Sequence, residues 1–214
     1  PPKSSYTGTF NTFALISHRD THVKMACGDP KAGARVAILD PCLTTTQPRE
    51  VTANTGVDAL VHAVETAVTK PRNPLSLLYS HEAFSLIHSN LEAVLQDPNN
   101  EEARGNMQLG AAFAGLSIEN SMLGAAHSAA NPLTSRFNVV HGPAVAVMVP
   151  RVMAYNSEDK QACEAYAVLA RKCLIADRMA TDEDASLALR LRVADLIGAA
   201  GISLDLKDHG VDGG

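Results

Sequence analysis

Four side chains in this sequence combine residue types and spacing that could hold a metal ion. Asp58 and His62 stand four residues apart in a segment with helical periodicity, so both fall on one face of a helix. His127 lies in a run of alanine and glycine, where an imidazole is costly to bury without a partner. His141 stands between two valines and a Gly-Pro pair. Three imidazoles and one carboxylate suit Fe(II) or Zn(II) and suit magnesium or calcium poorly.

Two other interpretations of the same residues stay open. An aspartate and a histidine at this spacing also form hydrogen-bonded pairs inside a core, without any metal. A helical domain with coincidental histidines is the second alternative. The remaining histidines fall in polar turns or among polar residues of a predicted helix, where we expect surface positions: His18, His22, His81, His88 and His209.

The elements that must position these side chains are mostly helices. From Pro48 onward, apolar residues recur at helical spacing, with small residues between them that favour close helix packing. We predict six to eight helices, among them 52–69, 75–95, 101 to 116 or beyond, a short helix ended by Pro132, 160–175 and 184–199. Before Pro48, short apolar runs predict strands at 13–16, 22–26 and 35–39. Because so few strands cannot close a sheet, we expect the chain to begin partway through a larger fold.

Composition narrows the class of partner. The 214 residues are 46% hydrophobic and 19% charged, with a net charge of -5 and no basic cluster. Aromatic residues make up 4% and tryptophan is absent, so we expect no nucleic-acid partner. No apolar run approaches the ~20 residues of a membrane helix, and no secretory signal opens the sequence. Four cysteines without Cys-x-x-Cys spacing indicate reduced thiols, so we predict a cytoplasmic protein that does not bind membranes.

Two ordered motifs surround the four candidate ligands. The first is the segment 55–65, Thr-Gly-Val-Asp-Ala-Leu-Val-His-Ala-Val-Glu. The second runs from Gly-Ala-Ala-His at 124–127, through Asn-Pro-Leu at 131–133, to His-Gly at 141–142. Both are similar to the metal-binding signatures of the iron-containing alcohol dehydrogenases. Smaller matches lie upstream, so the likeness covers almost the whole chain.

The resemblance implies a function and a set of site residues. Asp58, His62, His127 and His141 would be the ligands of Fe(II) or Zn(II), and Lys24 would contact NAD(P). The implied activity is interconversion of an alcohol and an aldehyde by hydride transfer, with the metal as Lewis acid. Two alternatives stay open: a non-catalytic metal-binding helical module and a maleylacetate reductase-like enzyme of the same family. Helical domains of this family commonly form subunit contacts, so a homo-oligomer is expected.

Together, periodicity and resemblance predict a mainly α fold. Residues 1–47 would be the end of an α/β nucleotide-binding domain, of which a few β-strands are left. Residues 48–214 would form an all-α, bundle-like metal- and substrate-binding domain, shortened at its C-terminus.

Three departures from the family pattern limit what the resemblance implies. The sequence contains no glycine-rich phosphate loop, and Lys24 is the one cofactor contact that can be matched. Asn131 stands where the family often has a histidine that helps to relay protons, and an amide cannot titrate near neutral pH. The sequence also stops where relatives continue. We therefore expect an internal fragment or a shortened gene product, which alone could be inactive.

Overall fold

A computed structural model describes residues 12–17, 24–29, 31 and 33–211 of the chain. Seven α-helices dominate the described residues, which confirms the predicted mainly α class. Their bounds are α1 Arg49–Thr66, α2 Pro74–Gln96, α3 Glu101–Ser121, α4 Ala125–Phe137, α5 His141–Asn156, α6 Lys160–Lys172 and α7 Asp182–Ala199. Short 3-10 helices span Pro41–Thr44 and Leu206–His209. No described helix combines the length and apolar character needed to cross a bilayer.

The described strands form one antiparallel hairpin. Strand β1 (Phe13–Ser17) pairs with β2 (Lys24–Gly28), with Phe13 opposite Gly28 and Ser17 opposite Lys24. Thr12, just before β1, donates its backbone N–H to Glu119 of α3, which ties the hairpin to the helices. The predicted strand at 35–39 is wrong: this segment has no regular structure. Val36 and Ile38 within it are 77% and 87% exposed, so its apolar side chains find no packing surface.

Local side-chain chemistry fixes where several helices begin. Asn73 starts α2 with a capping box, in which its side chain accepts from Ser76 while the Ser76 hydroxyl accepts from the Asn73 backbone. Asn100, Asp159 and Thr181 each accept a backbone N–H at the start of α3, α6 and α7.

The prediction that Pro132 ends a helix is wrong. Helix α4 continues through Pro132 to Phe137 and ends at Asn138, which adopts the left-handed conformation with φ 61°. A proline inside a helix removes the donor that would reach the carbonyl four residues earlier, here that of Ser128. Both Pro132 and Ser128 are exposed, so water can hydrate that carbonyl and the helix tolerates the interruption.

Helix α1 runs through the middle of the helical core. It contacts α2, α3, α4 and α5, and Val57, Leu60 and Val64 on it are fully buried. Small residues allow the close packing that the sequence predicted: a Cβ on Gly110 of α3 would lie 2.7 Å from the Ile87 side chain of α2. Polar side chains on α1 are therefore placed in the interior, where α4 and α5 meet it.

Candidate metal centre

The three helices α1, α4 and α5 bring the four predicted ligands together. Asp58 and His62 lie one turn apart on α1, His127 lies in the first turn of α4, and His141 is the first residue of α5. The start of α5 reaches α1 because residue 142 is glycine: a Cβ there would lie 2.6 Å from the backbone oxygen of Asn54.

One oxygen atom is the centre of the cluster. Asp58 Oδ1 lies 3.6 Å from His62 Nε2, 3.3 Å from His127 Nε2 and 3.5 Å from His141 Nε2. The rings of His62 and His127 stack with centroids 4.6 Å apart, and those of His127 and His141 lie 5.4 Å apart. One ligand atom from each of Asp58, His62 and His127 fits within a span of 4.8 Å.

The cluster is buried on one side and open on the other. The side chains of His127, Asp58 and His62 are 7%, 10% and 12% exposed, whereas that of His141 is 36% exposed. Beside His141, Val140 is 58% exposed. A small molecule could therefore reach the cluster from the His141 side, while the core excludes water from the other.

Burial and charge oppose each other in this cluster. Burial raises the pKa of Asp58, but the imidazoles of His62, His127 and His141 outweigh it and hold that pKa well below the usual value of a carboxyl group. Burial lowers the pKa of His62 to about 4, and attraction to Asp58 offsets this only in part. For His127, burial lowers the pKa, yet hydrogen bonds to Asp58 and Glu65 raise it overall to about 9. Without metal, the cluster thus holds a charged carboxylate, a neutral His62 and a protonated His127, so binding of a cation would release a proton from His127.

The distances from Asp58 to the three imidazoles are compatible with a shared cation. All three nitrogen–oxygen separations exceed the ~2.9 Å typical of an N–H···O bond. Four ligand atoms that each lie about 2.1 Å from a tetrahedral ion would be separated by about 3.4 Å. The three distances from Asp58 Oδ1, 3.3, 3.5 and 3.6 Å, agree with that spacing. Asp58, His62 and His127 form the set whose ligand atoms all lie within 4.8 Å of one another, and His141 stands outside this set although it reaches Asp58.

Sequence reasoning missed Glu65, which belongs to the same cluster. It is 3% exposed, and its Oε2 lies 2.5 Å from His127 Nδ1. The signal was present: Asp58, His62 and Glu65 follow each other at i, i+4 and i+7, one face of one helix, and that face is otherwise apolar. A glutamate in such a position needs a buried partner.

The other residues named from the sequence lie either elsewhere in the structure or outside the described residues. Lys24 is the first residue of β2, and its side chain lies outside the described structure, so its role stays a prediction. His18 and His22 are also outside the described residues. His81 and His88, expected at the surface, are instead half-buried on α2, where His88 stacks on the ring of Phe84. His209, also expected at the surface, is half-buried in the 3-10 helix Leu206–His209, with Nε2 2.8 Å from the Ser203 carbonyl.

Comparison with known proteins identifies the family. Residues 52–213 match the model of the C-terminal part of the Fe-containing alcohol dehydrogenase family. The chain is 32% identical over 211 residues to the NADPH-dependent butanol dehydrogenase of Clostridium saccharobutylicum, covering 98% of this chain and 53% of that protein. The chain therefore belongs to the iron-containing alcohol dehydrogenase family, and it spans about half the length of this relative.

Solved structures share the fold. The alcohol dehydrogenase from Oenococcus oeni superposes with a TM-score of 0.91 at 29% identity, over 98% of this chain and 54% of that one. A maleylacetate reductase from Rhizobium sp. strain MTP-10005 superposes with a TM-score of 0.81 over 98% of this chain and 56% of that one. Its sequence identity is 22%, so this second likeness extends to the fold alone.

Proposed function

We propose that this chain provides the metal- and substrate-binding half of an NAD(P)-linked, metal-dependent alcohol dehydrogenase. The observation that supports the proposal is the convergence of three imidazole Nε2 atoms on one carboxylate oxygen at 3.3–3.6 Å. Asp58, His62, His127 and His141 would hold Fe(II) or Zn(II). Residues 48–214 would be the metal- and substrate-binding domain, and residues 1–47 the end of the nucleotide-binding domain.

The two cofactors would divide the chemistry. Asp58, His62, His127 and His141 would hold a divalent ion, which when bound would supply Lewis-acid chemistry to an alcohol or aldehyde oxygen. Lys24 is the residue we assign to NAD(P) binding, and that cofactor would supply the hydride chemistry. The family membership and the NADPH dependence named for the Clostridium relative support this cofactor.

The chain's own residues would bind and orient the substrate. The exposed edge of His141 leaves an approach to the cluster, and the buried faces of His127 and Asp58 keep water out behind it. Asn131 lies on α4 one turn after His127 and is half-buried. Its amide can donate to or accept from a substrate hydroxyl but cannot carry a proton away. Proton transfer would therefore need a group other than residue 131.

We propose a small alcohol or diol and its aldehyde as the substrate pair. The relatives with named substrates include butanol and 1,3-propanediol dehydrogenases, which supports this class. We further propose that the protein is cytoplasmic and forms a homo-oligomer. Neither a nucleic acid nor a membrane is proposed as a partner, since the chain has a net charge of -5 and no basic cluster.

Cobalt(II) substitution tests the proposal on the chain itself. The cobalt-loaded chain is titrated with butanol and with 1,3-propanediol while its visible absorption is recorded. We expect one bound cobalt per chain and an absorption change that saturates with alcohol, because the alcohol enters the ion's surroundings from the His141 side. His127→Ala should lose the cobalt spectrum, whereas His209→Ala should keep it. Tight cobalt binding without any response to alcohols or aldehydes would instead favour the non-catalytic metal-binding module.

A further inference from the structure

Glu65 uses both oxygens of a buried carboxylate, and both contacts lead to α4. Its Oε2 lies 2.5 Å from Nδ1 of His127, and its Oε1 accepts the backbone N–H of Ala126 at 2.5 Å. The residue itself lies on α1, in the turn after His62. It therefore connects the helix that carries Asp58 and His62 to the helix that carries His127.

We propose that Glu65 is a positioning residue that fixes the orientation and protonation of the His127 ring. This proposal rests on the proposed metal site, because it assigns a role relative to that site. A carboxylate offers only acceptors, so Nδ1 of His127 carries a proton and donates it to Oε2. The other ring nitrogen, Nε2, faces Asp58 Oδ1 at 3.3 Å; when a cation replaces the proton shared there, Nε2 presents its lone pair to the centre of the cluster while Nδ1–H stays bound to Glu65.

The second oxygen of Glu65 fixes the start of α4. The residue at the N-cap position is Gly124, which has no side chain to accept the first backbone N–H groups of the helix. Glu65 supplies that acceptor from α1, and its position at a helix N-terminus is electrostatically favourable. Because His127 lies in this first turn, holding the turn also holds the imidazole.

Glycine at position 124 makes the contact possible. A Cβ at this position would lie 2.8 Å from Glu65 Oε1, closer than real Cβ atoms come to other atoms. The glycine therefore leaves room for the carboxylate against the start of α4. The position of His127 thus depends on three residues together: Glu65, Gly124 and Ala126.

Glu65→Gln is the sharpest variant, because an amide has one acceptor and one donor in place of two acceptors. If its oxygen continues to accept from Ala126, its NH₂ group faces Nδ1 of His127. That nitrogen must then accept, and the proton moves to Nε2, which can no longer bind a cation. We expect the Zn²⁺ affinity to fall by about 10- to 100-fold, as is usual when the outer partner of a histidine ligand is lost.

Glu92→Gln is the matched control. Glu92 is a glutamate on α2 that accepts from Arg192 Nη2 at 2.6 Å, so the same chemical change removes a carboxylate charge from a hydrogen bond outside the cluster. We expect its Zn²⁺ affinity to equal that of the unmodified chain within about twofold. Titration of the full chain with Zn²⁺ against a chromophoric chelator measures both variants.

Nitrogen-15 NMR of the histidine rings in the metal-free chain gives a second readout that does not need metal or activity. We expect a slowly exchanging proton on Nδ1 of His127 in the unmodified chain and its loss in Glu65→Gln. An Nδ1 without a proton in the unmodified chain would overturn the proposal. So would a folded Glu65→Gln chain that keeps its Zn²⁺ affinity.

The two readouts separate this proposal from the proposed function. If the unmodified chain binds no Zn²⁺, the proposed function fails, and the Nδ1 proton still decides the role of Glu65. If Glu65→Gln does not fold, as judged by circular dichroism, the presence or absence of the Nδ1 proton on His127 in the unmodified chain decides the role of Glu65. If metal binds to the unmodified chain and Glu65→Gln matches it, Glu65 loses its role while the metal site stands.

Discussion

Helices α1 and α2 both carry partly buried histidines, yet only α1 places its histidine beside buried carboxylates. Burial lowers the pKa of His62 on α1 and of His81 on α2 to about 4 in both cases. His62 faces Asp58 at 3.6 Å, whereas the charge that acts on His81 is that of Lys172. The difference shows that a shifted pKa alone does not mark the site. The site is marked instead by a carboxylate on the same helix face and by further imidazoles from α4 and α5.

The largest effect is expected from replacing His62 of α1 with glutamine, and the same replacement of His88 on α2 is the control. His62→Gln removes one Nε2 from the cluster, and we expect at least about a 100-fold loss of Zn²⁺ affinity, close to the ~3 kcal/mol typical of breaking a buried charged set. His88→Gln, on α2, should leave that affinity unchanged because His88 stacks on Phe84 and interacts with the charges of Arg192 and Glu92, none of which belongs to the cluster. Isothermal titration of both variants with Zn²⁺ makes the measurement. Equal losses of Zn²⁺ affinity in the two variants would mean that the histidine on α1 has no special role in metal binding.

A smaller effect is expected from pH, and it concerns α2. Burial and the charge of Lys172 lower the pKa of His81 to about 4, below the ~6.5 of an unfolded chain. As pH falls from about 6.5 to 4, the unfolded chain therefore gains a proton at His81 that the folded chain does not, and stability is lost across this window. His81→Gln should remove that loss, on the order of 1 kcal/mol because the side chain is only half-buried.

Urea unfolding of the metal-free chain at pH 7 and pH 5 checks the pH effect. The difference in unfolding free energy between the two pH values should be smaller in His81→Gln than in the unmodified chain. An equal difference in both proteins would mean that His81 is not a buried neutral imidazole.

The smallest effect is expected in the connection between α3 and α4. Met122 has φ 93° and ψ 163°, a conformation that only glycine adopts readily, and it is 57% exposed. Met122→Gly removes strain of about 1–3 kcal/mol, offset by the ~0.5–1 kcal/mol entropic cost of a glycine. At the midpoints of these two ranges we expect the free energy of unfolding to rise by about 1 kcal/mol, which thermal unfolding measures. Met122→Ala keeps a Cβ and should show no gain, and equal stability of the two variants would argue against strain.

The helices were predictable because their signals are local. Apolar periodicity gave the existence of α1, α2 and α3, with ends shifted by a few residues. The two errors, a strand at 35–39 and a helix end at Pro132, arose where the outcome depends on neighbours: packing partners for Val36 and Ile38, and water for the carbonyl before Pro132.

The sequence indicated the four candidate ligands but not the residue that holds one of them in place. Asp58 and His62 are linked by helical spacing, and His127 and His141 stand out as imidazoles in apolar or small-residue segments. The motif resemblance then supported all four, and their ligand role stays a prediction. Glu65 was missed because its two partners, Ala126 and His127, lie more than 60 residues away and meet it only when α4 packs on α1. The half-burial of His81 and His88 was missed because α2 packs against other helices on more than one face.

The central claim is that Asp58 collects three imidazoles around one cation, and metal content tests it most directly. The full chain and Asp58→Asn are purified without oxygen, reconstituted with Fe(II) or Zn(II), desalted, and measured by elemental mass spectrometry. We expect about one ion per unmodified chain and almost none in Asp58→Asn, with both chains folded by circular dichroism. An unmodified chain without metal, or an Asp58→Asn chain that retains a full equivalent, would contradict it.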